Sequence, residues 1–77
     1  MRDINKQVGS RIREIRLTKG VSQDVLAARS GLHRAHMGQI ERGESNVTVK
    51  TLYKIGTALG VQVPELVRGL ERKARVF

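Results

Sequence analysis

In LHRAHMGQIERG, residues 32–43, the polar side chains of Arg34, Gln39 and Arg42 are spread along one short amphipathic segment. A guanidinium is a planar fork that can donate twice to guanine O6 and N7, and a glutamine amide can pair with adenine N6 and N7. Both are also ordinary solvated residues, so their chemistry depends on where they point. Ten residues upstream, Ser22, Gln23 and Asp24 open another segment. There Gln23 can hold a phosphate with its side chain, beside the free N–H groups of a helix start. Other chemistries fit poorly. His33 and His36 are three apart, but the chain has no cysteine and no nearby carboxylate at zinc-site spacing, so no metal site is expected. His36 reads as a partly buried side chain whose charge in mild acid can tune binding to a polyanion. There is no glycine-rich phosphate loop, no nucleophile with a base in view and no paired carboxylates. A chain of 77 residues also has little room for a catalytic cleft. Neither an enzyme nor a cofactor is expected.

Apolar spacing and glycine punctuation predict the elements that carry these groups. Ile4, Val8, Ile12 and Ile15 recur at helical steps and Gly20 ends that segment. Ser22 is a suitable N-cap for a second helix that turns Leu26 and Ala27 inward and closes near Ser30, before Gly31. A third helix runs from near His33 to Gly43, with Leu32, Met37 and Ile40 as its apolar side. Steps of 100° then send Ala35 and Arg42 directly outward, Gly38 and Gln39 to the outer flanks, and Arg34 to the N-terminal shoulder. His36 and Glu41 fall nearer the core. Thr48 caps a fourth helix with the stripe Leu52, Ile55, Gly56 and Leu59, and Gly60 follows it. Pro64 suits the first turn of a fifth helix carrying Leu66, Val67 and Leu70. The tail from Glu71 to Phe77 is basic and expected to fray.

Fifteen Lys or Arg against seven Asp or Glu give a net charge of +8. The sequence pI of about 11.2 lies above the rough threshold of pI 9 for nucleic-acid-binding domains. Membrane surfaces and acidic proteins also attract such charge. With no cysteine there is no disulfide framework, and no apolar run reaches the roughly 18 residues of a membrane span. The N-terminus lacks the apolar run of a secretion signal, so a cytoplasmic protein is expected.

With the second and third helices placed, the arrangement reads as a helix-turn-helix. The stretch IREIRLTKGVSQDVLAARSGLHRAHMGQIERGESNVTVKTLYKIGTALGV resembles the Cro/CI-type, or xenobiotic-response-element, family of DNA-binding regulators. The Ser-Gln start of the second helix carries the likeness, with Leu26-Ala27, Gly31, the run Ile40-Glu41-Arg42-Gly43 and the close Leu59-Gly60-Val61. It spans about Val8 to Val67. Within the family, LHRAHMGQIERGESNVTVKTL is similar to controller proteins of restriction–modification systems. The resemblance implies an all-α, five-helix, lambda-repressor-like domain that binds DNA as a homodimer with its third helix in the major groove. By position it assigns Arg34, Ala35 and Gln39 to base edges, and Ser22, Gln23, Arg42 and Asn46 to phosphates. It supplies Arg16 as the partner of Glu41. Three residues depart from the pattern: His33 where a capping Ser or Thr is usual, Gly38 within the third helix, and Glu44 in a loop that often carries a cation.

These readings converge on one domain over residues 1–77, with its core at about 8–67. The expected function is a sequence-specific transcriptional regulator of prokaryotic or phage origin, partnered by double-stranded DNA and a second copy of itself. Dimerisation is expected through Val61, Val63, Leu66, Val67 and Leu70, which offer more apolar surface than one short helix can bury. Two other classes compete. An antitoxin would use Val76 and Phe77, after the basic tail, to hold a partner protein. A non-specific nucleic-acid or coactivator module would use the charge alone.

Overall fold

The computed structural model describes residues 3–70, and every regular element within them is helical. The helices are α1 (Ile4–Thr18), α2 (Gln23–Ser30), α3 (Arg34–Glu41), α4 (Val49–Leu59) and α5 (Val63–Leu66). Three of them start on a side-chain cap. Asp3 accepts from the Lys6 amide at 3.2 Å, Ser22 from the Val25 amide at 3.1 Å and Thr48 from the Thr51 amide at 3.1 Å. Each satisfies one of the orphan donors at a helix start. His33 occupies the N-cap of α3 without any side-chain hydrogen bond, so that short helix relies on its neighbours.

Those neighbours form a single core. α2 lies against both α3 and α4, while α1 backs onto α3. Ile12, Leu26, Met37, Ile40, Ile55 and Leu66 are fully buried, with Val8, Ala27, Leu52 and Leu59 around them. Cutting one of these large side chains to alanine removes ~2–5 kcal/mol from a domain of this kind. α1 and α3 approach closely because residue 9 is glycine. A Cβ there would collide with the Ile40 carbonyl oxygen and lie 2.7 Å from that of Glu41. Gly31, at φ 71°, turns the chain between α2 and α3 in the left-handed region that a β-carbon disfavours.

The all-α architecture and the order of five helices agree with the sequence reading, and four details differ. Ile4 is 58% exposed, because the inward face of α1 begins only at Val8. Gly38 is buried rather than on an outer flank. α5 is one turn long: Val67 is already its C-cap and Leu70 lies beyond it. Leu66, expected at a dimer contact, is fully buried in the chain's own core. The tail 71–77, with Val76 and Phe77, lies outside the described residues. Among the described residues no helix is long and apolar enough to cross a membrane.

Candidate nucleic-acid interface

α3 has two unlike faces. Met37, Gly38, Ile40 and Glu41 are buried, whereas Arg34, Ala35, Gln39 and Arg42 are exposed. The helix is eight residues long and poorly capped, so tertiary contacts must hold its outer face in register. Met37 and Ile40 supply the apolar part of that hold. Glu41 supplies the polar part.

The Glu41 carboxylate sits in a nearly dry site among α1, α2 and α3. Arg16 Nε donates to its Oε2 at 2.7 Å and Arg16 Nη2 to its Oε1 at 3.0 Å. Gln23 Nε2 donates to the same Oε1 at 3.1 Å, and Arg16 Nη1 donates to the Val21 carbonyl at 3.0 Å. The Glu41 side chain is 2% exposed and that of Arg16 10%. A buried carboxylate is tolerable when paired and hydrogen-bonded, and a two-point guanidinium contact also fixes angle. Arg16, Gln23 and Glu41 thereby tie one end of α1, the start of α2 and the end of α3 together.

Gln23 therefore has a structural task that the sequence reading did not foresee. One of its amide hydrogens is committed to Glu41, and the same nitrogen keeps a second, beside the free amides at the start of α2. Ser22 is exposed, and its hydroxyl is occupied as the cap of α2. Gly38 lies beneath the side chains of Arg42 and Gln23. A Cβ at that position would stand 3.1 Å from Arg42 Nη1 and 3.5 Å from Gln23 Oε1. The glycine costs α3 some helix propensity but gives both polar side chains their place.

Both arginines of the outer face are already paired. Arg34 Nη1 donates to Asp24 Oδ2 at 3.1 Å across the α2–α3 gap, and both side chains are largely exposed. Arg42 Nε and Nη2 donate to the two oxygens of Glu44 at 3.0 and 3.1 Å. Hydrogen bonding from Arg42, aided by its charge and that of Lys6, holds the Glu44 carboxyl below the usual range. The same contact raises the Arg42 guanidinium further above its ordinary value. Asn46 Oδ1 accepts from Asn5 Nδ2 at 2.8 Å, so α1 orients the loop before α4 while the Asn46 side chain keeps its own N–H donors. Asn5 and Asp24 were missed as site neighbours because their partners lie 41 and 10 residues away along the chain. Helical periodicity does not report such pairs.

A second surface lies on α4 and α5. Val61, Val63, Val67 and Leu70 are partly buried against the core, and Tyr53 and Val49 stand 66% and 76% exposed. Tyr53, Val61, Val63 and Pro64 line a groove between the two helices. Among the described residues no cluster of three His, Cys, Asp or Glu side chains could hold a metal ion.

Residues 12–66, which include all five helices except the first turns of α1, match the helix-turn-helix family HTH_3. The chain belongs to this family. It is 45% identical over 65 residues to an HTH-type transcriptional regulator, y4dJ, of Sinorhizobium fredii, covering 84% of each chain. It is 42% identical over 64 residues to the control protein C.SmaI of Serratia marcescens, covering 83% of this chain and 76% of that one. The crystal structure of the restriction-modification controller protein C.AhdI from Aeromonas hydrophila superposes with a TM-score of 0.79 at 44% identity. That match covers 80% of this chain and 94% of the other. The resemblance to Cro/CI-type regulators and controller proteins is thus shown, and these relatives are regulators rather than enzymes. The protein is a transcriptional regulator of the helix-turn-helix type.

Proposed function

We propose that the protein binds a two-fold symmetric DNA site as a homodimer, with α3 of each copy in the major groove. The observation that carries this reading is the outer face of α3. Arg34, Ala35 and Gln39 stand exposed on a helix whose inner face is clamped by Met37, Ile40 and the Arg16–Glu41 pair. Arg34 has the donor fork for guanine, Gln39 the amide for adenine and Ala35 the apolar contact suited to a thymine methyl. Ser22, Gln23, Arg42 and Asn46 border that row and supply donors for phosphates, which position the helix without reading sequence. The net charge of +8 steers the whole domain to a polyanion.

Pairing through Tyr53, Val61, Val63, Val67 and Leu70 would cover the apolar groove of α4 and α5. It would also set two recognition helices about 34–36 Å apart, one turn of DNA. Occupancy of a promoter in the cytoplasm then blocks or recruits polymerase, and the protein's own concentration sets the response through dimerisation. Selecting bound fragments from random duplexes tests the reading. The expected product is a short palindrome bound typically ~10³–10⁷-fold more tightly than scrambled duplex. Enrichment of no sequence, or of a site without two-fold symmetry, would sink it.

A further inference from the structure

Glu44 is a carboxylate set among groups that suit phosphate. It follows the left-handed Gly43 in the loop between α3 and α4, two residues beyond Arg42. Arg42 presents Nε and Nη2 side by side, and each takes one carboxylate oxygen, at 3.0 and 3.1 Å. A guanidinium grips a phosphate with the same parallel two-point geometry. We propose that Glu44 acts as an internal stand-in for a DNA phosphate on Arg42, and so sets how strongly the protein holds the backbone of any duplex. This rests on the DNA-binding reading above and adds to it a residue that opposes binding.

The exchange is easy because the pair is wet. The side chains of Arg42 and Glu44 are 60% and 54% exposed, so little desolvation holds them together and an incoming phosphate can displace the carboxylate. Displacement has two costs. Arg42 loses its internal partner, and the released carboxylate stays beside the DNA as a like charge. The charge of Lys6 also acts on Glu44 and offers partial compensation. Neither cost depends on base sequence, because Arg42 lies at the C-cap of α3, past the row of Arg34, Ala35 and Gln39. Glu44 therefore lowers affinity for operator and for random DNA alike. In a chain carrying +8, that limits retention on non-cognate duplex. It also flattens the salt dependence, since a carboxylate freed on binding gathers cations while the DNA releases them.

The test is Glu44→Gln, titrated over a salt series on a selected operator and on a scrambled duplex, with the intact chain. Both affinities should rise by a similar factor, ~3- to 10-fold at low salt, and the log–log salt slope should steepen by up to about one unit. The ratio between the two DNAs should hold. In an Arg42→Ala background most of the gain should vanish. Glu14→Gln removes the same charge from an exposed α1 site paired to Arg11, and should give a clearly smaller gain. An equal gain from Glu14→Gln, or a gain that survives Arg42→Ala, would reduce the effect to net charge and overturn the proposal. Unchanged affinity of Glu44→Gln beside a wild type that binds DNA would overturn it alone. Failure of every form, wild type included, to bind any duplex would sink the DNA reading together with it.

Discussion

Arg34 and Arg42 are chemically identical, and their surroundings divide their tasks. Arg34 stands at the start of α3 with one nitrogen on Asp24, so most of its fork is free for a base edge. Arg34→Ala should weaken the operator by ~1–3 kcal/mol per half-site and relax preference at one base position. Arg42→Ala should instead weaken operator and scrambled DNA equally and lower the salt slope by roughly one unit per lost contact. Binding titrations on both duplexes separate the two, and equal losses from Arg34→Ala would make it a phosphate contact. Glu44 carries a prediction in pH. Its carboxyl is depressed by the Arg42 hydrogen bond, so the pair's contribution to folding is present above the unfolded carboxylate value of about 4.3. It is lost only as pH falls through the lower folded value. A side-chain carbonyl titration by NMR should show a midpoint below the ordinary glutamate range, returning towards it in Arg42→Ala. A midpoint that ignores Arg42→Ala would mean the two side chains are not paired in solution.

Like the other short helices, α3 cannot stand alone. It is short, uncapped by His33 and interrupted by Gly38, so its position is imposed from α1 and α2. Glu41 transmits that imposition. Glu41→Ala would leave the Arg16 guanidinium, 10% exposed, without its counter-charge at a cost of ~3–5 kcal/mol. At ~4–8 °C per kcal/mol for a domain of this size, the melting transition should drop by well over ten degrees. Arg16→Met with Glu41→Leu should recover much of the loss, because two apolar groups of similar volume carry no buried charge. An unchanged melting temperature in Glu41→Ala would show the carboxylate to be solvated. The contrast with Asp24–Arg34 is one of burial: that pair is 61% and 73% exposed and belongs to the weak surface class.

At the scale of the molecule, the eleven buried apolar side chains among the described residues leave Tyr53, Val61, Val63, Val67 and Leu70 incompletely covered. Val67→Asp would place a charge in that partly buried surface while leaving the fully buried Leu66 itself unchanged. Sedimentation should show wild type as a dimer at tens of micromolar and Val67→Asp shifted to monomer, with operator affinity falling in step. A wild type that stays monomeric both free and on DNA would remove the two-fold arrangement.

The pattern of residues was enough by itself for the helix count, for the apolar faces apart from Ile4 and for the outward direction of Ala35, Gln39 and Arg42. Those are local properties, set by a 3.6-residue period, caps such as Ser22 and Thr48, and glycines such as Gly31. Family likeness added Arg16 as a partner for Glu41, a pairing across 25 positions that no period contains. Tertiary structure decided what depends on distances through space. It turned Gln23 onto Glu41 and buried Gly38 under two polar side chains. It placed Leu66 wholly inside, while Val63 and Val67 are only partly buried against the core. It also engaged both outward arginines with carboxylates before any DNA arrives. Apart from Arg42 and Glu44, which are two residues apart in the chain, the reason is common: a side chain's partners are fixed by which helices meet, and the core and the close approach of α1 to α3 at Gly9 set that meeting.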